Sequence, residues 1–366
     1  MKTCARLLLA VVLSVCGVLT ATVAPAAAAA APGTVLASTT ATLPPELAPL
    51  ANGERITYVT TNVNGTTISA TGLVLTPKNG RKHLTVAWGH GTTGLADQCA
   101  PSTNQVVFWP EARTAVAKLL NRGWTVAAPD YPGLGTPAAH PYLVGGSEAR
   151  SLIDSVKAAR NLDSSLKTGY AIDGHSQGGQ GALFANQMAS SYDGDLVLKG
   201  SAAIAPVSNV DVLAPLIPGT PEQGYLVMGL YGLSAVDLSF DPNSVLNVPA
   251  ERLASVLQTG CLNEILAAYS SLTAGQLLVG GALPDPLVAE LAHYDNPAQS
   301  APTAPILIVQ GTADEAVPAD ITRYYLLPEL GGTQPVQYVP IEGATHDGAV
   351  VASAGLVADW IAAHFG

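Results

Sequence analysis

From His83 to Pro206 the sequence alternates between short apolar runs and longer amphipathic stretches. No other feature constrains the fold as much. HLTVAWG (83–89), WTVAAPD (124–130), GYAIDG (169–174) and LKGSAAIAP (198–206) read as strands. EARTAVAKLLNRG (111–123), SEARSLIDSVKAARNL (147–162) and GGQGALFANQMASSY (178–192) read as helices between them. Such alternation predicts an α/β fold, with a mostly parallel central sheet and helices on both faces. Upstream, ERITYVTTNVNGTTISATGLVLTP (54–77) alternates apolar and polar residues around Asn64-Gly65, so the domain is expected to open with an antiparallel hairpin.

The pattern breaks after Pro206. Residues 207–300 hold several helix-like pieces, among them PAERLASVLQTGCLNEILAAYSSL, with Pro and Gly breaks and no obvious strand. Alternation resumes with APILIVQG (304–311), PVQYVPIEG (335–343) and a closing helix, GLVADWIAAHFG (355–366). A helical insertion between two core strands is the economical reading.

The first residues are of another kind. Lys2 and Arg6 precede an apolar run, and APAAAAAAP follows with several small-residue cleavage options. This layout predicts a secretory signal peptide over 1–31, leaving 32–366 as one domain. It is favoured over a retained membrane anchor, and Val15 argues against lipid attachment at Cys16. With 48% hydrophobic against 12% charged residues, the chain has the means for a large core. A formal net charge of −11 with no basic patch argues against nucleic acid and anionic membrane surfaces as partners. Cys4 and Cys16 fall within the signal. Cys99 and Cys261 are then an even pair in an oxidising compartment, and a disulfide between them is expected.

Gly174-His175-Ser176-Gln177-Gly178 fits G-x-S-x-G, with an apolar strand before it and a helix after it. A strand turning sharply into a helix strains its central residue, and flanking side chains would clash with neighbouring backbone. A serine hydroxyl is a poor nucleophile unless a base takes its proton and an acid orients that base. On this architecture the expected chain order is Ser, then Asp or Glu, then His. Asp314 follows one strand and His346 the next, so both fall at carboxyl ends, where open sheets place their sites. Glu315 and Asp320 are alternatives to Asp314, and an Asx-turn is its bland role. His364 reads as a dipole-compensating residue near a helix end, and His175 as packing beneath the turn. His83, His140 and His293 receive no role.

An oxyanion needs donors, expected from the amide of Gln177 and from AWGHGTTG (87–94). Thr92 is the first choice in that loop and Thr93 the second. The same loop is no phosphate site, since no Gly-Lys-Ser/Thr follows it.

Together, Ser176 in GHSQGG, Asp314 in GTADEAVP, His346 in GATHDG, the GHGTTG loop and PDYPGLGT (129–136) resemble the α/β-hydrolase superfamily. Within it, DYPGLG…HPYLVGGSEARSLIDSVKAAR followed by GHSQGG resembles the secretory lipase family, which includes fungal lipase A-type enzymes and bacterial relatives. The resemblance implies a serine esterase or lipase with a helical cap at about 207–300. The expected substrate is a small-molecule or lipid ester, opened without metal or organic cofactor. A monomer is expected, with transient lipid-interface contact through the cap. Glu222, Glu251, Glu264 and Glu290 would be candidate amine anchors if the chain were instead an aminopeptidase. A non-catalytic binding protein on the same fold is expected to lack a triad member.

Overall fold

The structure, a computed structural model, describes residues 30–365. Most of the signal-peptide expectation therefore lies outside the described residues. Nine strands form one sheet in the order β1-β2-β3-β5-β4-β6-β7-β8-β9. They are β1 (Val35–Thr40), β2 (Ala51–Thr61), β3 (Thr67–Pro77), β4 (Thr85–Gly89), β5 (Thr125–Pro129), β6 (Gly169–His175), β7 (Val197–Ile204), β8 (Ile306–Gly311) and β9 (Val336–Ile341). The pairs β1–β2, β2–β3 and β3–β5 are antiparallel, and the five pairs from β5–β4 through to β8–β9 are parallel. The expected mostly parallel sheet is thus present, with the β2–β3 hairpin at its antiparallel edge. In that hairpin Thr61 pairs with Thr67, and Gly65 takes the left-handed φ of +78° that closes the turn. Strand β1 lies upstream of that hairpin, where the sequence pattern predicts no element.

Helices α1 (Pro110–Asn121), α2 (Gly145–Leu162) and α3 (Gln177–Tyr192) connect the parallel strands. Between β7 and β8 lie α4 (Val210–Leu213), α5 (Gln223–Ser234), α6 (Val248–Glu251), α7 (Val256–Thr259), α8 (Leu262–Tyr269), α9 (Ala274–Leu277) and α10 (Asp285–Asp295). An isolated bridge between Leu246 and Leu278 is the β-pairing in this segment among the described residues. Two short helices, α11 (Ala319–Ile321) and α12 (Leu327–Glu329), precede β9, and α13 (His346–His364) closes the chain.

The last helix corrects the sequence reading. It begins at His346 and not at Gly355, so His346 is its first residue and not part of a preceding loop. Thr345 caps it, its hydroxyl accepting the Gly348 N–H at 3.2 Å. Gly348 and Gly355 weaken the helical signal over this stretch, glycine costing up to about 1 kcal/mol against alanine.

Period-two alternation in β4 explains the layering. Val86 and Trp88 pack with Val116 and Leu119 of α1 and Val350 and Val357 of α13. Ala87 points the other way, to Leu152 and Val156 of α2 and Ala182 of α3. A further apolar cluster, including Leu226, Leu230, Leu257, Ile265, Leu277 and Leu291, holds the helices between β7 and β8 together.

Candidate active site

Strand β4 lies between β5 and β6, so successive connections leave it on opposite sides. Ligands bind at such switch points, in the crevice beyond the strand carboxyl ends. The Gly91-Thr92 loop follows β4 and Ser176 follows β6, so both stand at this crevice.

Ser176 adopts φ +56° and ψ −116°, a conformation that side chains rarely hold. Strain of this kind costs on the order of 1–3 kcal/mol and survives where the surroundings impose it. Here Ser176 donates its N–H to the Ile204 carbonyl of β7 at 2.9 Å, and its own carbonyl accepts from Gln180 at 3.0 Å. Glycines make the turn sterically feasible. A Cβ at Gly174 would strike the Gly178 carbonyl, and one at Gly178 would strike the Gly89 backbone. Two further glycines behind the turn have different neighbours. Gly179 faces Ile204 and Pro206 at the end of β7, whereas Gly181 faces Glu148 and Leu152 of α2.

His346 Nδ1 donates to Asp314 Oδ2 at 2.7 Å. Asp314 is held by its own loop, Oδ1 accepting the N–H groups of Ala316 at 3.0 Å and Val317 at 2.8 Å. Gln310 Nε2 donates to Oδ2 at 2.8 Å, and the Gln310 carbonyl oxygen accepts from the Thr322 hydroxyl. Of the acids weighed in the sequence, Asp314 is the one in contact with His346. Glu315 lines the neighbouring cavity, while Asp320 lies on α11.

Ser176 and His346 line one open cavity of about 660 Å³, together with Gly91, Thr92, His175 and Asp347. Thr92 is in that lining and Thr93 is not. Among the described residues, no acceptor is recorded for the amides of Thr92 or Gln177. The Thr92 hydroxyl is bound to the Tyr142 hydroxyl at 2.7 Å, and its carbonyl accepts from Trp109 Nε1 at 3.1 Å.

A second, narrow cavity of about 60 Å³ runs from Ser176 between Val210, Ile217, Tyr225, Leu226 and Leu291 of the helical segment. Its lining is apolar apart from Glu222, Asp295 and the tyrosine hydroxyls at its sides. Of the four glutamates considered as amine anchors, Glu222 lines these cavities, whereas Glu264 accepts the Cys261 N–H at the start of α8. The helical segment is also tied covalently to the crevice. Cys99, in the loop after β4, is disulfide-bonded to Cys261, as the cysteine count predicts.

The sequence reading missed a buried polar layer under the elbow. Gln177 Nε2 donates to Glu148 Oε1 at 2.9 Å and meets His140 Nε2 at 3.1 Å. Burial pushes Glu148 up to about 8 and His140 down to about 4. Asp173, in β6, is also pushed up to about 8 by burial. His140, Tyr142 and Glu148 all fall in the HPYLVGGSEARS stretch that carried the family resemblance, which was the available signal. His175 is buried as expected, but it lines the cavity and its ring lies 4.6 Å from that of His346. Burial first, and then the nearby His346, hold the His175 ring well below the ordinary histidine range. His364 bonds the Trp360 carbonyl in the last turn of α13, His83 bonds Ser165, and His293 stacks edge-on against Tyr294.

The fold has counterparts among known proteins. Among solved structures, the fold matches Candida antarctica lipase A in its closed state, with a TM-score of 0.78 at 20% identity. That match covers 92% of this chain and 82% of the other. A rice cell wall degrading esterase from Xanthomonas oryzae matches with a TM-score of 0.74 at 22% identity, covering 91% and 99%. The fold is therefore that of the α/β-hydrolases. A secreted triacylglycerol lipase of Malassezia globosa is 30% identical over 194 residues, 50% of this chain and 40% of that one. Lipase A of Moesziomyces aphidis is 25% identical over 276 residues, 68% of this chain and 58% of that one. The chain thus spans roughly half the length of these two relatives. A family model described as "Secretory lipase" matches residues 103–366, so the chain belongs to the secretory lipase family.

Proposed function

We propose that this protein is a secreted carboxylester hydrolase in which Ser176 attacks the ester carbonyl. In this reading His346 takes the serine proton and returns it to the leaving alcohol. Asp314 holds the imidazole in the right tautomer and stabilises its charged form. Water then opens the acyl-enzyme by the same steps. The amides of Thr92 and Gln177 receive the developing oxyanion, each such donor being worth about 3 kcal/mol. Residues 207–300 act as a cap, and the narrow apolar cavity beneath them takes the acyl chain. The substrate class is a lipid or small acyl ester, in keeping with relatives named as triacylglycerol lipases. Secretion is supported by the layout of residues 1–31 and by relatives named as secreted.

One observation carries the reading. A strained serine and a histidine already bonded to a carboxylate line the same cavity. Ser176→Ala is expected to fold normally, to lose p-nitrophenyl ester hydrolysis by about 10⁶-fold, and to escape fluorophosphonate labelling. Retained turnover in that variant would refute the assignment.

A further inference from the structure

His175 plays no part in the hydrolysis proposed above, yet its Nε2 is buried without a hydrogen-bond partner among the described residues. The side chain is 5% exposed, and its Nε2 lies 3.9 Å from Asp347 Oδ1. His346 completes the group. One ligand atom from each of His175, His346 and Asp347 lies within 4.8 Å of the others. Because His346 Nδ1 is bonded to Asp314, Nε2 is the nitrogen left to coordinate.

We propose that His175, His346 and Asp347 bind a divalent transition-metal ion, zinc by preference, and that the bound ion inhibits hydrolysis. Two imidazoles and one carboxylate, with a fourth position open to the cavity, form a ligand set suited to Zn²⁺. Ca²⁺ and Mg²⁺ prefer oxygen donors and are poor matches. Zinc–ligand bonds of about 2.0–2.2 Å require ligand atoms roughly 3–4 Å apart. The His175–Asp347 separation already meets that spacing. Asp347 has an exposed side chain, free to turn inward for the rest. The Asp314–His346 bond supplies the outer-sphere carboxylate that orients a metal-binding histidine. Glu315 lines the same cavity and raises the local concentration of cations. Inhibition follows from the shared lone pair, since an Nε2 bound to metal cannot accept the proton of Ser176.

The inhibition rests on the hydrolase reading, whereas the binding does not, so the two are measured separately. ZnCl₂ is titrated calorimetrically into the full chain and into Ser176→Ala, and ester hydrolysis is followed in parallel. Expected results are one zinc per chain with equal affinity in both proteins, inhibition at the same midpoint, and recovery on chelation. Asp347→Asn and His175→Gln are each expected to weaken zinc binding at least about tenfold, with inhibition in each variant measured against that variant's own zinc-free rate. Absence of one-site binding, or unchanged affinity in both ligand variants, would overturn the site. Equal inhibition by Mg²⁺ and Ca²⁺ would overturn it too, pointing to screening of the acidic rim. Zinc that binds without inhibiting would overturn the coupling to His346. If Ser176→Ala binds zinc but also retains hydrolysis, the site stands and the nucleophile assignment fails.

Discussion

The two sides of the Ser176 elbow hold the same kinds of side chain in opposite circumstances. On the cavity side, each oxygen of Asp314 has two donors: Ala316 and Val317 on Oδ1, Gln310 and His346 on Oδ2. On the buried side, among the described residues, Glu148 has one oxygen in use and the other without a partner, and Oδ1 of Asp173 likewise has none. Burial favours the neutral acid, and it is burial that raises Glu148 and Asp173. The difference teaches that one turn can hold a fully hydrogen-bonded aspartate–histidine pair on its outer face and rest on sparsely bonded, buried acids beneath. In the proposed reaction the outer layer does the chemistry, and the inner layer holds the Gln177 side chain beneath its backbone amide.

The sharpest way to break the outer layer is Asp314→Asn. The two loop amides fix the side-chain oxygen at the Oδ1 position, so the new NH₂ stands where Oδ2 was. There it faces His346 Nδ1 and presents a donor to a ring nitrogen that must itself donate. The imidazole then takes the other tautomer, with a proton on Nε2 and no lone pair for the Ser176 hydroxyl. Gln310 cannot relieve the conflict by flipping without losing its bond from Thr322. We expect kcat to fall by about 10⁴-fold, with KM and thermal midpoint little changed. Steady-state kinetics with a soluble ester checks this, and a loss under tenfold would show that the orientation is held elsewhere.

The outer layer was also the legible one. Ser176, Asp314 and His346 can be read because each follows its own strand, in the order the architecture demands. The inner layer could not be read in the same way. Glu148, His140 and Gln177 meet only after α2 packs on α3, and neither spacing nor periodicity encodes that meeting. Strand β1 was missed because its exposed residues, Leu36 to Thr40, carry no alternation of buried and open positions. The early start of α13 was hidden by glycines in a run that tertiary packing makes helical, with Ala349, Val350 and Val357 buried. The fold's parallel half and the positions of Ser176, Asp314 and His346 thus follow from local pattern. The supports beneath them depend on contacts between distant segments.

Substitution at Glu148 probes the inner layer with a smaller expected effect. Near neutral pH the group is largely protonated, since burial pushes it up to about 8. Glu148→Gln keeps the acceptor for Gln177 and for the Leu143 N–H, and is expected to retain activity within a few-fold. Glu148→Ala leaves the Leu143 N–H unpaired and leaves Gln177 with His140 as its remaining partner, each lost bond costing about 1–3 kcal/mol. It also loosens the Gln177 side chain beneath the backbone amide proposed as an oxyanion donor. The expected signature is a fall in kcat of about 10- to 100-fold with KM nearly constant, less than the roughly 10²- to 10³-fold cost of removing such a donor outright. Equal activity of the Gln and Ala variants would remove Glu148 from any positioning role.

The last effect concerns stability and not rate. Asp173 is buried in β6, and burial raises it from an ordinary carboxyl value near 3.8 to about 8. Between those values the folded protein keeps a proton that the unfolded chain releases. Stability is therefore fullest below pH 4, declines as pH rises through 8, and then levels off. One linked proton corresponds to at most about 1.4 kcal/mol per pH unit. Glu148, also raised by burial, contributes a slope of the same sign. Asp173→Asn substitutes a permanently neutral group of the same shape, so it should match the parent below pH 4 and exceed it increasingly toward pH 8. Thermal unfolding of both proteins across this range checks the point, because background titrations common to the two cancel in the difference. Parallel stability curves would mean that Asp173 is charged in the folded protein, and the contrast between the two faces of the elbow would no longer extend to β6.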